Sequence, residues 1–285
     1  MNAQTAKMKW VTEQLIPDFF SLLSWNKVWD KPPVSGDSYQ FMILASLINA
    51  AKTMGWNISI PLLDFFDDGV GFALRNVIPH THGALAGNSA AVCDDLPLEK
   101  RFLISILPKF TISKDNRSYS FFTEGCPYHK IMTGRNYSDR PDIIVFSGSL
   151  SYSGTKISAS NTEVSFNYLF NDTMISGRLR VATTPLIPCI SRNPQGLPFP
   201  AQGIVECSVN KSADIAIPQV AKYREIFSEG KQIPTIVTVT GNDLFGKLPC
   251  ESFYLPYQNE TKESILAECS SIGKQILSTF TLSVQ

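Results

Sequence analysis

The chain has 285 residues, of which 44% are hydrophobic and 18% charged, and its 25 basic and 25 acidic side chains cancel. This balance is ordinary for a globular protein and counts against a nucleic-acid-binding protein with a wholly basic surface. Six widely spaced cysteines without a CxxC pair exclude a zinc ribbon. Neither a signal peptide nor a membrane-spanning apolar run is evident, so we expect a reduced, cytoplasmic protein with no membrane partner.

The first hundred residues favour helices. Apolar residues at near-helical spacing predict a helix over 5–26, and the stretch 30–37 interrupts it with two prolines and a glycine. A strong, mostly apolar helix is predicted over 38–56. Residues 57–95 give no clear pattern, and 96–107 predict another helix.

From residue 108 onward the pattern changes to strands. KFTIS and SYSFF, at 109–113 and 118–122, predict a strand pair around a polar turn, and 149–182 predicts one or two hairpins. A proline-rich loop is expected after it, with prolines at 185, 188, 194, 198 and 200. Further strands are predicted at 140–148, 203–209, 235–241 and 252–257, and further helices at 217–230 and 260–280. This order predicts an α/β fold with a mixed central β-sheet flanked by helices, in which the helix 217–230 connects two parallel strands by a right-handed crossover.

Two acidic residues stand in separate predicted strands. Pro141-Asp142 opens one apolar run, and Glu206 lies in another, 64 residues later. On the helix that follows, Gln219 and Tyr223 are four residues apart. Two carboxylates at neighbouring strand ends can hold a hard divalent cation, and such a cation can activate water towards a phosphodiester.

This order of residues resembles the PD-(D/E)xK nuclease superfamily, which includes many type II restriction endonucleases. The Gln-x-x-x-Tyr element also resembles the RecB and lambda-exonuclease branch. The resemblance covers residues 37–56 and 140–245 and implies a restriction-endonuclease-like core. It also implies a nuclease-like domain over 37–285, with insertions at about 57–95 and 149–202. The apolar spacing over 5–26 adds a helical N-terminal segment over 1–36.

The resemblance implies that Mg²⁺, with Mn²⁺ as a substitute, is bound by Asp142, Glu206 and the carbonyl group of Cys207. The lysine that the family carries two residues after the glutamate is replaced here by Ser208. Lys222 beside Gln219 on the helix, or Lys211 at the end of the strand, could supply the missing charge. A site that works without lysine and an inactive site remain alternatives.

The early helix of many relatives brings a further polar residue close to the metal. Asp37 and Gln40 are the candidates for that position here, and Gln40 matches it better, as a neutral ligand or a holder of water.

The basic residues of the chain are concentrated just before Asp142. Residues 99–140 carry eight lysines and arginines against four acidic residues, whereas 1–98 carry six against nine. Contacts with the phosphates of double-stranded DNA are expected from this basic segment. Its members are Lys100, Arg101, Lys109, Lys114, Arg117, Lys130, Arg135 and Arg140, and Lys211 and Tyr223 are expected to contact nucleic acid as well.

The leading hypothesis is a metal-dependent endonuclease, a sequence-specific type II restriction enzyme that cuts both DNA strands as a homodimer. Neither GxxxxGK[ST] nor GxGxxG occurs, so no nucleotide cofactor is expected. The alternatives are a DNA-binding protein with a degenerate nuclease core, a RecB-like exonuclease or repair nuclease, and an unrelated α/β protein. In the unrelated protein, Asp142 and Glu206 would lie far apart.

Overall fold

The computed structural model describes residues 35–59, 108–123, 141–157, 163–170, 173–180, 187–190, 201–208, 213–227, 233–241, 248–255 and 262–282. The predicted helices at 5–26 and 96–107 lie outside these residues, as do Lys100, Arg101, Lys130, Arg135, Arg140 and Lys211.

Three helices and eleven strands occur within the described ranges. The helices are α1 (Ser35–Thr53), α2 (Ala213–Phe227) and α3 (Lys262–Leu282). The strands are β1 (Asn57–Ser59), β2 (Phe110–Lys114), β3 (Arg117–Thr123), β4 (Ile143–Ser147), β5 (Leu150–Ile157), β6 (Glu163–Phe170), β7 (Thr173–Arg180), β8 (Ile187–Ile190), β9 (Ala201–Ser208), β10 (Thr235–Thr240) and β11 (Glu251–Tyr254).

Seven of the strands form an open mixed sheet in the order β1-β2-β3-β4-β9-β10-β11. Neighbours are antiparallel from β1 to β9, and β9, β10 and β11 are parallel. The α/β class and the mixed central sheet are therefore confirmed. β9 and β10 are parallel neighbours connected through α2, which is the pairing that the predicted crossover requires.

The other four strands form a separate antiparallel sheet in the order β5-β6-β7-β8. β5, β6 and β7 confirm the hairpins predicted over 149–182. The proline-rich loop was predicted to include Pro188, and this part of the prediction is wrong because Pro188 lies within β8. β8 is an edge strand of its sheet, and a residue without an N–H group is tolerated at an edge.

The turn between β2 and β3 follows from its two central residues. Asp115 and Asn116 have φ angles of 50° and 63°, and they connect paired residues Lys114 and Arg117. Two consecutive residues with positive φ match the twist of a tight hairpin, and Asn and Asp are the non-glycine residues that tolerate this conformation best. The strand pair predicted around this polar turn is confirmed.

Helix α2 begins earlier than the sequence pattern indicates. The prediction placed its start at 217, so that Pro218 would lie in the first turn, whereas the helix begins at Ala213 and contains Pro218. A proline inside a helix removes the hydrogen bond to the carbonyl four residues before it, here that of Asp214. Only one bond near the beginning of the helix is lost, and the rest of α2 continues.

Helices α1 and α3 pack against each other and cover one face of the seven-stranded sheet. Their apolar side chains share a buried cluster with Val205, Val237 and Val239 of β9 and β10. Side chains alternate between the two faces of a strand, so Glu206 and Ser208 point to the opposite face. Helix α2 covers that face, because its Tyr223 contacts Glu206.

Candidate active site

Asp142 and Glu206 lie opposite each other on adjacent strands. β4 and β9 are antiparallel, with Ile143 paired to Val205, so the preceding Asp142 faces the following Glu206 across the ladder. The backbone N–H of Cys207 donates a hydrogen bond of 2.6 Å to Oδ2 of Asp142. Two carboxylates that are 64 residues apart in sequence therefore meet at one end of the strand pair. The wide separation expected for an unrelated α/β protein is not observed.

Glu206 is held from the helix that follows its strand. Its side chain is only 1% exposed, and its Oε2 accepts a hydrogen bond of 3.0 Å from the hydroxyl of Tyr223. Gln219, one turn earlier on α2, donates through Nε2 to the same hydroxyl at 2.5 Å. The four-residue spacing places both side chains on one face of the helix. A chain of hydrogen bonds thus runs from Gln219 through Tyr223 to Glu206.

The protonation state of Tyr223 determines which group donates in its hydrogen bond with Glu206. Burial raises the pKa of Tyr223 far above its ordinary value, and the nearby negative charges of Glu206 and Asp142 raise it further. The hydroxyl therefore keeps its proton and donates a hydrogen bond to the carboxylate of Glu206.

Gln40 supports Asp142 from helix α1. Its side chain is largely buried, and its Nε2 donates a hydrogen bond of 2.6 Å to the backbone carbonyl oxygen of Asp142. The sequence suggested Gln40 as a neutral ligand or a holder of water. In the structure its amide nitrogen binds the backbone of the residue that carries the first carboxylate, and a role of its amide oxygen as a ligand or a holder of water stays a prediction.

Replacing Gln40 with methionine, which has a similar volume, removes this hydrogen bond. We expect the free energy of unfolding to fall by about 0.5–1.5 kcal/mol, the usual net contribution of one such bond. Urea denaturation measures the change. Thr53→Val on the same helix is the control, because the bond from its hydroxyl to the carbonyl of Asn49 is exposed. An equal loss in both variants would contradict a specific role for Gln40.

The backbone of Cys207 and the side chain of Ser208 also lie at this end of β9. The N–H and C=O groups of one strand residue point towards the same neighbour, so the carbonyl of Cys207 faces the β4 side, where Asp142 lies. Ser208 is 2% exposed, and its own carbonyl accepts from the N–H of Gly241 after β10. This placement suits the carbonyl of Cys207 as a third oxygen ligand.

Lys222 is half-buried on α2, three residues after Gln219. Residues three apart are neighbours on a helix surface, so Lys222 flanks the face that carries Gln219 and Tyr223. Lys222 and Arg224 both adjoin Tyr223 in sequence, and Arg224 donates a hydrogen bond to the carbonyl oxygen of Pro249.

Three residues of the basic segment lie in the described ranges, and each is engaged within the fold. Lys109 is 1% exposed, and Nζ of Lys114 donates to the carbonyl oxygen of Met54 at 2.9 Å. Arg117 donates to the carbonyl oxygen of Thr281 at 3.3 Å, and its guanidinium group lies 5.8 Å from the ring centre of Trp56. A buried Lys109 does not fit the expected phosphate contact. Lys114 is half-buried and Arg117 is exposed, so their phosphate contacts stay a prediction. A direct contact of Tyr223 with nucleic acid does not fit either, since its side chain is fully buried.

A row of hydroxyl groups beside the carboxylates was missed by the sequence reasoning. Thr238 pairs with Glu206 and Ser252 with Thr238 across β9, β10 and β11. Oγ1 of Thr238 donates to Oγ of Ser252 at 2.9 Å. The sequence TIVTVT indicates these hydroxyl groups, because Thr238 and Thr240 are two residues apart and therefore share one face of an otherwise apolar strand.

The donor set limits the kind of cation that this site could hold. Among the described residues, no group of three or more His, Cys, Asp and Glu side chains is placed to hold a metal ion. Asp142, Glu206 and the carbonyl of Cys207 nevertheless offer oxygen atoms alone. Such a small set suits Mg²⁺, which is usually bound by one or two carboxylates and retains several waters.

The described part of the chain contains no helix with the length and apolar character needed to cross a bilayer.

Comparisons with protein-family models, with curated proteins and with solved structures find no match to this chain.

Proposed function

We propose that this protein is a Mg²⁺-dependent nuclease of the PD-(D/E)xK type that hydrolyses phosphodiester bonds in double-stranded DNA. The observation that carries the proposal is the meeting of Asp142 and Glu206 at one end of the β4–β9 pair. The order of elements supports it: helix α1, the antiparallel strands β2, β3, β4 and β9, the crossover helix α2 and the parallel strand β10. This is the order expected of a restriction-endonuclease-like core.

The residues of the chain have separate tasks in this mechanism. Asp142 and Glu206, with the carbonyl of Cys207, would hold Mg²⁺, or Mn²⁺ in its place. When bound, the cation supplies positive charge that activates water and neutralises the charge that develops on the phosphate. The amide of Gln40 and the N–H of Cys207 keep Asp142 in place. Lys222 is the candidate for the positive charge that Ser208 does not supply.

The substrate and assembly follow from the type of site. Within the proposal, the protein is a type II restriction endonuclease and acts as a homodimer, because two sites related by a two-fold axis match the two antiparallel strands of DNA. Each site cuts one strand. Basic residues outside the described ranges, Lys130, Arg135, Arg140 and Lys211, remain the proposed phosphate contacts.

The test of the proposal is cleavage of plasmid DNA by the purified full chain. We expect nicked and linear products with Mg²⁺ or Mn²⁺ and none with EDTA. We expect no products from Glu206→Gln, because this substitution keeps the size of the side chain and removes its charge. Cleavage that persists in Glu206→Gln would exclude this site. Parallel assays with single-stranded DNA and RNA define the substrate class.

A second candidate is a DNA-binding protein with an inactive nuclease core. The observation in its favour is Ser208, which occupies the position of the family's lysine and is buried beside Glu206. This candidate predicts retention of plasmid DNA in an electrophoretic mobility assay and no cleavage by the wild type in any of the divalent cations.

A further inference from the structure

We propose that Gln219 and Tyr223 form a positioning device for Glu206, which sets the orientation of this carboxylate for cation binding. The inference rests on the proposed function and assigns a role to two residues of the same site. It differs from the role in gripping nucleic acid that the sequence suggests for Tyr223.

The first step of the argument is the burial of Glu206. A carboxylate that is 1% exposed is costly to keep charged unless hydrogen bonds compensate for the lost water. The hydroxyl of Tyr223 supplies such a bond at 3.0 Å. A bond from a neutral donor to a charged acceptor is stronger than a bond between neutral groups, so it restricts the rotation of the carboxylate.

The second step is the rigidity of the donor. The ring of Tyr223 is fully buried, which fixes the position of its hydroxyl oxygen. Nε2 of Gln219 occupies an acceptor site of that oxygen at 2.5 Å and directs the hydroxyl hydrogen towards Glu206. The orientation is therefore determined by two residues on one face of a helix.

The third step is the attachment of α2 to the sheet. A guanidinium nitrogen of Arg224 donates to the carbonyl oxygen of Pro249, just before β11. Ala216, near the start of the helix, packs against Leu248. Helix α2 is thus attached at two points along its length to the segment that precedes β11, a strand of the same sheet as β9.

Other roles for Tyr223 fit the structure less well. A fully buried ring does not reach a DNA backbone. The hydrogen bond of 3.0 Å that the hydroxyl donates to Glu206 is the contact that fits a role in orienting this carboxylate.

The experiment compares Tyr223→Phe with the wild type in the full chain, using Mg²⁺ titrations of plasmid cleavage and calorimetric titrations with Mn²⁺ in the absence of DNA. We expect the cation concentration for half-maximal cleavage and the Mn²⁺ dissociation constant to rise about 10- to 100-fold, as for the loss of other groups that orient metal ligands. KM for DNA should change by less than about twofold, because the ring makes no contact with DNA in this proposal. Gln219→Met should give a smaller change of the same kind.

Tyr119→Phe is the matched control, since Tyr119 is also buried but lies on β3, in the core beneath α1 and α3. Its metal dependence should equal that of the wild type. If the wild type cleaves DNA and Tyr223→Phe shows the same metal dependence, the positioning role alone is overturned. The same follows if Tyr223→Phe raises only KM for DNA. A wild type that neither binds Mn²⁺ nor cleaves would overturn the proposed function and this role together. Should Tyr223→Phe fail to fold, Gln219→Met decides between the same outcomes.

Discussion

Replacement of Asp142 by asparagine is expected to lower the rate of Mg²⁺-dependent DNA cleavage by more than about 100-fold while the protein stays folded. Loss of a group that only orients a metal ligand costs about 10- to 100-fold, and loss of a charged ligand itself should cost more. Asparagine has nearly the shape of aspartate, and its side-chain oxygen can still accept the hydrogen bond from the N–H of Cys207. The negative charge is the property that disappears.

Asp142→Ala separates the chemical role from the structural one. Alanine removes both the charge and the acceptor for Cys207, so we expect it to abolish cleavage and also to lower the free energy of unfolding by about 1–3 kcal/mol. Urea denaturation and plasmid cleavage measure the two effects on the same preparations. Glu225→Gln, an exposed carboxylate on α2, is the control and should leave both unchanged. Undiminished cleavage by Asp142→Asn would contradict the proposed site.

Gly273→Ala is expected to lower the free energy of unfolding by about 1–2 kcal/mol, although alanine is the better helix former. Helix propensity alone favours alanine over glycine by about 1 kcal/mol. Helix α3 crosses α1 so closely at Gly273 that a Cβ atom there would lie 2.6 Å from the carbonyl oxygen of Ser46. The contact is with backbone, which does not rotate away, so the overpacking cost exceeds the gain in propensity.

Thermal and urea unfolding of Gly273→Ala measure this cost. Lys274→Ala is the matched control, because the neighbouring side chain is exposed and its truncation should change the free energy of unfolding by less than about 0.5 kcal/mol. A Gly273→Ala variant that is more stable than the wild type would show that α1 and α3 can separate at this point without cost.

The carboxylate pair could be predicted from the sequence because its signals are local. Asp142 and Glu206 each interrupt an apolar, strand-like run, and the four-residue spacing of Gln219 and Tyr223 is a direct property of a helix. Strand alternation then places Glu206 away from the core formed by Val205 and its neighbours. The fold class followed from the same patterns.

The burial and the partners of individual side chains were harder to predict, because they depend on contacts between distant parts of the sequence. Lys109 is a lysine in a basic segment, and only tertiary packing shows that it is buried. The contacts of Lys114 and Arg117 could not be predicted from the sequence either, because their partners Met54 and Thr281 are 60 and 164 residues away. Burial against the sheet likewise directs Tyr223 towards Glu206 and away from a DNA surface. Composition and spacing carry no information about such distances.

The close crossing of α1 and α3 has a consequence for biosynthesis. Gln40, which fixes the backbone of Asp142, belongs to α1, and α1 is packed against a helix that ends at residue 282. On the ribosome, α3 emerges long after the two carboxylates, so we expect the native arrangement around Asp142 to be completed only when nearly all of the described chain has been synthesised. Within the proposed function, this order of synthesis would delay cutting until α3 has left the ribosome and would spare nucleic acid close to it.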